Sequence, residues 1–189
     1  MKRLLLLSAT IGMLLLQNPA KAQSEQEKAW MNYMTPGEIH QKIAQCDGEW
    51  SFDMTMWMDP NAAPTTATGS TVNRMILGGR YQESVHKSTM MGMPFEGHGL
   101  LAYDNAKKIF QSSWIDNMGT GIMNMEGTWD EATKSITFNG NSVDPTTGKD
   151  MKMKEIFTIV DDNHHTMQMY MDHEGKEFKT MEIKFTRKM

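Results

Sequence analysis

From Gly48 to Asp59 the chain alternates. Trp50, Phe52, Met54, Met56 and Met58 stand at every second position, separated by Ser51, Asp53, Thr55 and Trp57. A period of two sets one unbroken apolar face against a mostly polar one, the pattern of a half-buried β-strand. Turn-forming clusters then divide the rest of the chain, among them Asp59-Pro60-Asn61, Gly78-Gly79, Asp104-Asn105, Asn117 to Gly121, Asp144 to Gly148 and Glu174-Gly175. The runs between them predict about ten strands, at 48–58, 66–77, 80–91, 94–103, 107–116, 121–129, 134–141, 150–160, 165–172 and 176–187. Short connections between successive strands suit an antiparallel meander, which can close on itself and remove its exposed edges.

Ahead of this sheet, Thr35-Pro36-Gly37-Glu38 reads as a helix start, with Thr35 as cap, Pro36 in the first turn and Glu38 completing a capping box. Ile39, Ile43 and Cys46 fall on one helical face, which favours a buried structural thiol over a reactive or metal-binding one. Lys2 and Arg3, the apolar run Leu4–Leu16 and the small residues Ala20-Lys21-Ala22 form the three parts of a secretory signal, so residues 1–22 are expected to be removed near Ala22. Residues 23–34 then form a polar lead, loose or partly helical, and residues 35–189 the folded domain. Gln23 stands where a lipoprotein would need cysteine, and nothing later resembles a membrane span. The expected location is periplasmic or secreted, in soluble form.

Removal of residues 1–22 leaves 167 of 189 and moves the formal charge from −4 to −7, since Lys2, Arg3 and Lys21 leave with no acid. An acidic domain without a basic cluster is a poor nucleic-acid binder. With Cys46 as its only cysteine the domain has no internal disulfide, and its core must hold unstapled.

Gly48-Glu49-Trp50, opening the first strand directly after a short helix, resembles the G-x-W signature of lipocalin-like (calycin) barrels. That resemblance implies that Arg187, on the last strand, packs across Trp50 and closes one end. Parity agrees, because Arg187 shares its face with Met181, Ile183 and Phe185, as Trp50 does with Phe52 and Met54. Further stretches are similar to one family of exported bacterial proteins of uncharacterised function in that superfamily: Met34-Thr35-Pro36-Gly37, Leu77-Gly78-Gly79-Arg80-Tyr81, Pro94-Phe95-Glu96-Gly97, Tyr103-Asp104-Asn105, Trp114 to Gly121 and Asp144-Pro145. The expected fold is all-β, a lipocalin-like antiparallel barrel of about ten strands with a short N-terminal helix. The resemblance implies an interior cavity and brings no reaction or ligand with it.

Methionine is the residue in excess, 21 in the full chain. Met54, Met56 and Met58 alternate, and so do Met123 with Met125, Met151 with Met153, and Met167, Met169 and Met171. Three readings follow: simple core filling, a deformable lining for an apolar or amphipathic guest, or thioether ligands for Cu(I). Glu155, on one face with Met153 and Phe157, is expected as an interior carboxylate facing a cationic guest or an internal arginine, or as a surface residue if a bulge shifts the register. Trp114 and Asp116 share a face and precede a glycine-rich turn, which places them at the polar end of a pocket or leaves Asp116 to cap that turn. Arg80, Glu96 and His98 are candidates for the same wall, and His164-His165 reads as solvated turn.

The candidate ligand-binding residues are therefore Met54, Met56, Met58, Trp114, Asp116, Met123, Met125, Met153, Glu155 and Met169, with Gly48, Trp50 and Arg187 as structural signature. No nucleophile–base motif and no compact metal spacing is present, so no catalytic residue, metal ligand or cofactor is assigned. The sequence predicts a barrel binding a small apolar or amphipathic molecule. A periplasmic Cu(I)-binding protein and a structural or protein-interaction barrel with a filled core are the alternatives.

Overall fold

The computed structural model describes residues 19–173 and 175–189; the apolar run of the expected signal lies outside them. The chain parts into two units between Met34 and Thr35. On the first lies α1 (Pro19–Met34), so the expected lead is helical through its whole length. The second holds α2 (Glu38–Ala44) and ten strands: β1 (Gly48–Met56), β2 (Thr65–Ile76), β3 (Tyr81–Met90), β4 (Met93–Asp104), β5 (Ile109–Asp116), β6 (Met123–Asp130), β7 (Ser135–Val143), β8 (Asp150–Asp161), β9 (His164–His173) and β10 (Lys176–Arg187). Each strand pairs antiparallel with its sequence neighbours, and β1 pairs with β10 to close the barrel. The fold is thus all-β, as the alternation implies.

The helix start differs from expectation. Gly37, not Thr35, occupies the cap of α2, and the Gly37 amide donates to Nδ1 of His40 at 3.1 Å. With the helix beginning at Glu38, the carboxylate lies a turn too early to reach back, and the buried imidazole takes that place. At the other end of α2, Asp47 carries the chain into β1, its carboxylate accepting from the Met75 amide at 2.9 Å and from Gln82 at 2.8 Å.

Trp50 is fully buried at the α2 end of the barrel. The Arg187 guanidinium lies 4.2 Å from the centre of its ring, and the two residues pair across β1 and β10. Arg187 also donates to the carbonyls of Asp47 (2.6 Å), Gln45 (2.7 Å) and Asp162 (2.9 Å), tying three chain segments together. The His165 ring packs against the tryptophan with centroids 4.2 Å apart, and the indole N–H donates to the Cys46 carbonyl at 3.0 Å. Gly48 has φ of +119°, and a Cβ there would come within 2.9 Å of the Arg187 guanidinium, so conformation and space both require glycine. His165 is therefore buried under Trp50 rather than in solvated turn, while its neighbour His164 bonds Asp161 on the surface. Cys46 is buried, with its thiol pushed up to about 11 by desolvation, which keeps it protonated and inert.

Buried apolar side chains fall into two groups. Trp50, Phe52, Met54, Ile183 and Phe185 pack together on β1 and β10. Ile43, Phe110, Met125, Ile136, Phe138 and Met153 form the second, on α2 and β5 to β8. A domain of this size ordinarily has one contiguous core. Here the barrel interior lies between two.

Candidate functional site

The space between the two groups is a cavity of about 1270 Å³, larger than the roughly 300–1,000 Å³ of most small-molecule sites. It runs from Ile43 and Cys46 at the α2 end to residues 117–122, Val143 and Pro145 at the opposite end, where the β5–β6 and β7–β8 connections lie. Strand alternation explains its walls. On β8, Met153, Glu155, Phe157 and Ile159 all face it; on β9, His165, Met167 and Met169 do so. Eight methionines contribute to the lining, among them Met54, Met123, Met153 and Met169.

Of the residues the sequence singles out, Met54, Trp114, Asp116, Met123, Met153, Glu155 and Met169 all line this one space. Three do not. Met58 lies beyond the end of β1, 84% exposed, because strand pairing stops at Met56 and the side-chain alternation no longer has a sheet to refer to. Met56 is half-buried and packs with the β1–β10 group at the strand end. Met125 is buried in the other group, pressed against Gly140 of β7, and so fills core instead of facing the cavity. Arg80, Glu96 and His98 are corrected too. Arg80 bonds the Leu77 carbonyl in an exposed turn, while Glu96 pairs with His98 and Lys87 on the outer surface of the barrel.

Trp114 and Asp116 form a fixed unit. The indole N–H donates to one Asp116 oxygen at 2.8 Å, and the other oxygen accepts from the Met118 amide at 2.8 Å. Asp116 thus orients the tryptophan and caps the following turn at once. Asn117 ties that turn to β4, bonding the Glu96 amide and the Pro94 carbonyl. Room for the indole comes from β4, where a Cβ at Gly97 would stand 2.3 Å from the ring.

Sequence reasoning missed His86. The inward residues of β3 are Gln82, Ser84, His86 and Met90, whereas Tyr81 and Val85 point outward, so the apolar alternation on this strand marks the wrong face. The His86 ring packs 5.0 Å from Trp114 and close to Phe52 and Phe185. Burial, helped by nearby His98, pushes its imidazole down to about 4. Desolvation likewise takes His165 down to about 4.

Glu155 has the most unusual surroundings. Its ladder partners are Phe138 and Met169, and the one register shift between β8 and β9 comes later, between Ile159 and Asp161, so it stays inward. The surface it retains faces the cavity, and desolvation raises its carboxyl to about 7. A carboxyl raised in this way stabilises the fold below its unfolded pKa and loses that contribution as pH climbs through the folded value. For Glu155 the window runs from about 4.5 to about 7, and the swing is on the order of 3 kcal/mol. His86 and His165 act oppositely, favouring the fold above their ordinary 6.5 and losing that advantage as pH falls toward 4. Glu155→Gln is thus expected to be more stable than the parent at pH 8, with the difference fading toward pH 4.5. Denaturant unfolding at the two pH values checks it; equal stability at pH 8 would show that the carboxyl is not desolvated.

A closed antiparallel barrel of this kind has the architecture of the lipocalin-like barrels. The chain belongs to the family described as "Protein of unknown function (DUF1579)", whose profile matches residues 35–187. Solved structures of other proteins share its fold. Rv2717c from M. tuberculosis superposes with a TM-score of 0.62 at 14% identity, over 82% of this chain and all of that one. The S-type phycobiliprotein lyase CPES from Guillardia theta gives 0.55 at 8% identity, over 85% of this chain and 97% of its own. No curated protein matches the chain. Among the described residues, no helix is long and apolar enough to cross a membrane, and no three histidine, cysteine, aspartate or glutamate side chains gather as a metal site.

Proposed function

We propose that this protein is an exported carrier that holds a small apolar or amphipathic molecule inside its barrel. The observation that carries the reading is the cavity itself: two buried groups stand apart where a structural barrel would have merged them. Methionine lining adds adaptability, since an unbranched thioether follows the shape of a flexible guest at low cost. The lyase among the structural neighbours supports the reading by fold analogy alone. Export follows from the signal-like segment that precedes the barrel, with cleavage near Ala22.

Native mass spectrometry of the protein, gently purified from its own source, tests the proposal. A bound organic mass supports it. A clean mass together with failure to take up any apolar fluorescent probe overturns it. Met169→Glu, which sets a second carboxylate directly beside Glu155 in the ladder, is expected to weaken probe uptake by about tenfold or more. Fluorescence titration measures this, and full retention would count against the β8–β9 wall as the binding surface.

A second reading has one specific observation in its favour. Met56 pairs with Met181, and Met181 with Met169, so three adjacent strands carry thioethers in one row. Sulfur ligands of this type select Cu(I). A copper-sized increment in the same mass spectrum, abolished by Met181→Leu, would favour the metal over the organic guest.

A further inference from the structure

We infer that the guest is an amphipathic amine whose protonated head pairs with Glu155 while its apolar body lies among the methionines. This rests on the carrier reading and specifies its ligand. Glu155 is surrounded by Met153 and Phe157 on its own strand, Phe138 on β7 and Met169 on β9, none of which offers a donor. Among the described residues no hydrogen-bond donor reaches its carboxyl, and desolvation is the only influence on its charge state. Burying an acid without a partner costs stability, and a glutamine or leucine at this position would fold at least as well. An acid that weakens the fold and faces only the cavity is explained by what enters the cavity.

Among the described residues no internal cation takes that role. Arg74 pairs with Glu83 on the outside, Arg80 bonds a turn carbonyl, and Arg187 is committed to Trp50 and three backbone oxygens. The other titratable groups lining the cavity are Lys42, Cys46, His86, Asp116, Asp150 and His165. Lys42 sits over Trp129 with its ammonium on Glu131 at 2.8 Å. Burial keeps Cys46, His86 and His165 uncharged near neutrality. Asp116, bonded to Trp114 and the Met118 amide, and Asp150 at the far end add negative charge. The field inside the barrel therefore favours a cation, and the negative net charge of the whole domain acts in the same direction.

Binding an ammonium requires the Glu155 carboxylate. The carboxyl of the empty protein titrates at about 7, so uptake at or below that pH expels a proton, and affinity falls toward tenfold per unit on further acidification. His86 and His165 stay neutral until about 4 and leave that sign unchanged between pH 8 and pH 6.

The experiment is displacement of an apolar fluorescent probe from the full chain by dodecylamine, dodecanol and dodecanoate, below their aggregation thresholds. The parent protein should bind the amine about tenfold or more tighter than the alcohol at pH 8, with the gap shrinking at pH 6. Glu155→Gln should close the gap by weakening the amine, and a gap kept in full by that variant overturns Glu155 as its partner. Equal binding of amine and alcohol by the parent, or a preference for the carboxylate, overturns this inference and leaves the carrier reading standing. Absence of any uptake overturns both.

Discussion

Replacing Trp50 with alanine is expected to lower the unfolding free energy by about 3–5 kcal/mol, the range for removing a fully buried aromatic side chain. The loss has several parts at one place. Both Arg187 and His165 rest against the indole, and its N–H satisfies the Cys46 carbonyl. Without it, β1 and β10 lose the largest of the side chains that join the first strand to the last, and closure is left to the strand hydrogen bonds and the smaller packing of Phe52, Met54, Ile183 and Phe185. Domains of this kind are commonly stable by only about 5–15 kcal/mol, so the variant should sit near the edge of folding. Denaturant unfolding measures it, with Met58→Ala as control. That side chain is 84% exposed, and its truncation should fall within about 0.5 kcal/mol of the parent. A Trp50→Ala change as small as the control would mean that the Trp50–Arg187 contact does not hold the barrel shut.

Gly97→Val should have the next largest effect, and on two observables together. The new Cβ would stand 2.3 Å from one atom of the Trp114 ring and 2.6 Å from another, distances that van der Waals radii forbid. The ring cannot simply slide, because Asp116 holds its N–H and the rings of His86 and Phe95 pack against it. Overpacking of this kind costs about 1–3 kcal/mol, and relief comes by breaking the Asp116 bond and swinging the indole into the cavity. Stability should therefore drop while uptake of an apolar probe falls, and tryptophan emission should shift with the changed environment. Unaltered uptake would show that Trp114 is not a fixed part of the wall.

These two sites differ in how far they could be read in advance. Trp50 and Arg187 were legible because the resemblance to lipocalin-like barrels implies their contact and parity puts both on inward faces of the first and last strands. The role of Gly97 was not, since the reason for it is an indole 17 positions further along the chain, on a neighbouring strand. His86 escaped for a different reason. On β3 the inward residues are the polar ones, and a rule that equates apolar with inside points the other way.

Ten strands, their antiparallel order and the face on which most side chains lie can be read from the order of residues along the chain. All of this follows from a period of two and from local turn chemistry, which act over a few residues. Which inward residues meet the cavity and which meet one another depends on how the distant strands close around it. Met54 and Met125 both alternate correctly, yet one faces the cavity and the other is packed against Gly140. Alternation encodes the side of a sheet; how far apart the opposing walls stand is set by barrel closure and by the summed bulk of side chains from distant strands. That separation leaves the Glu155 carboxyl without a partner among the described residues, and it turns an alternating strand into the wall of a site.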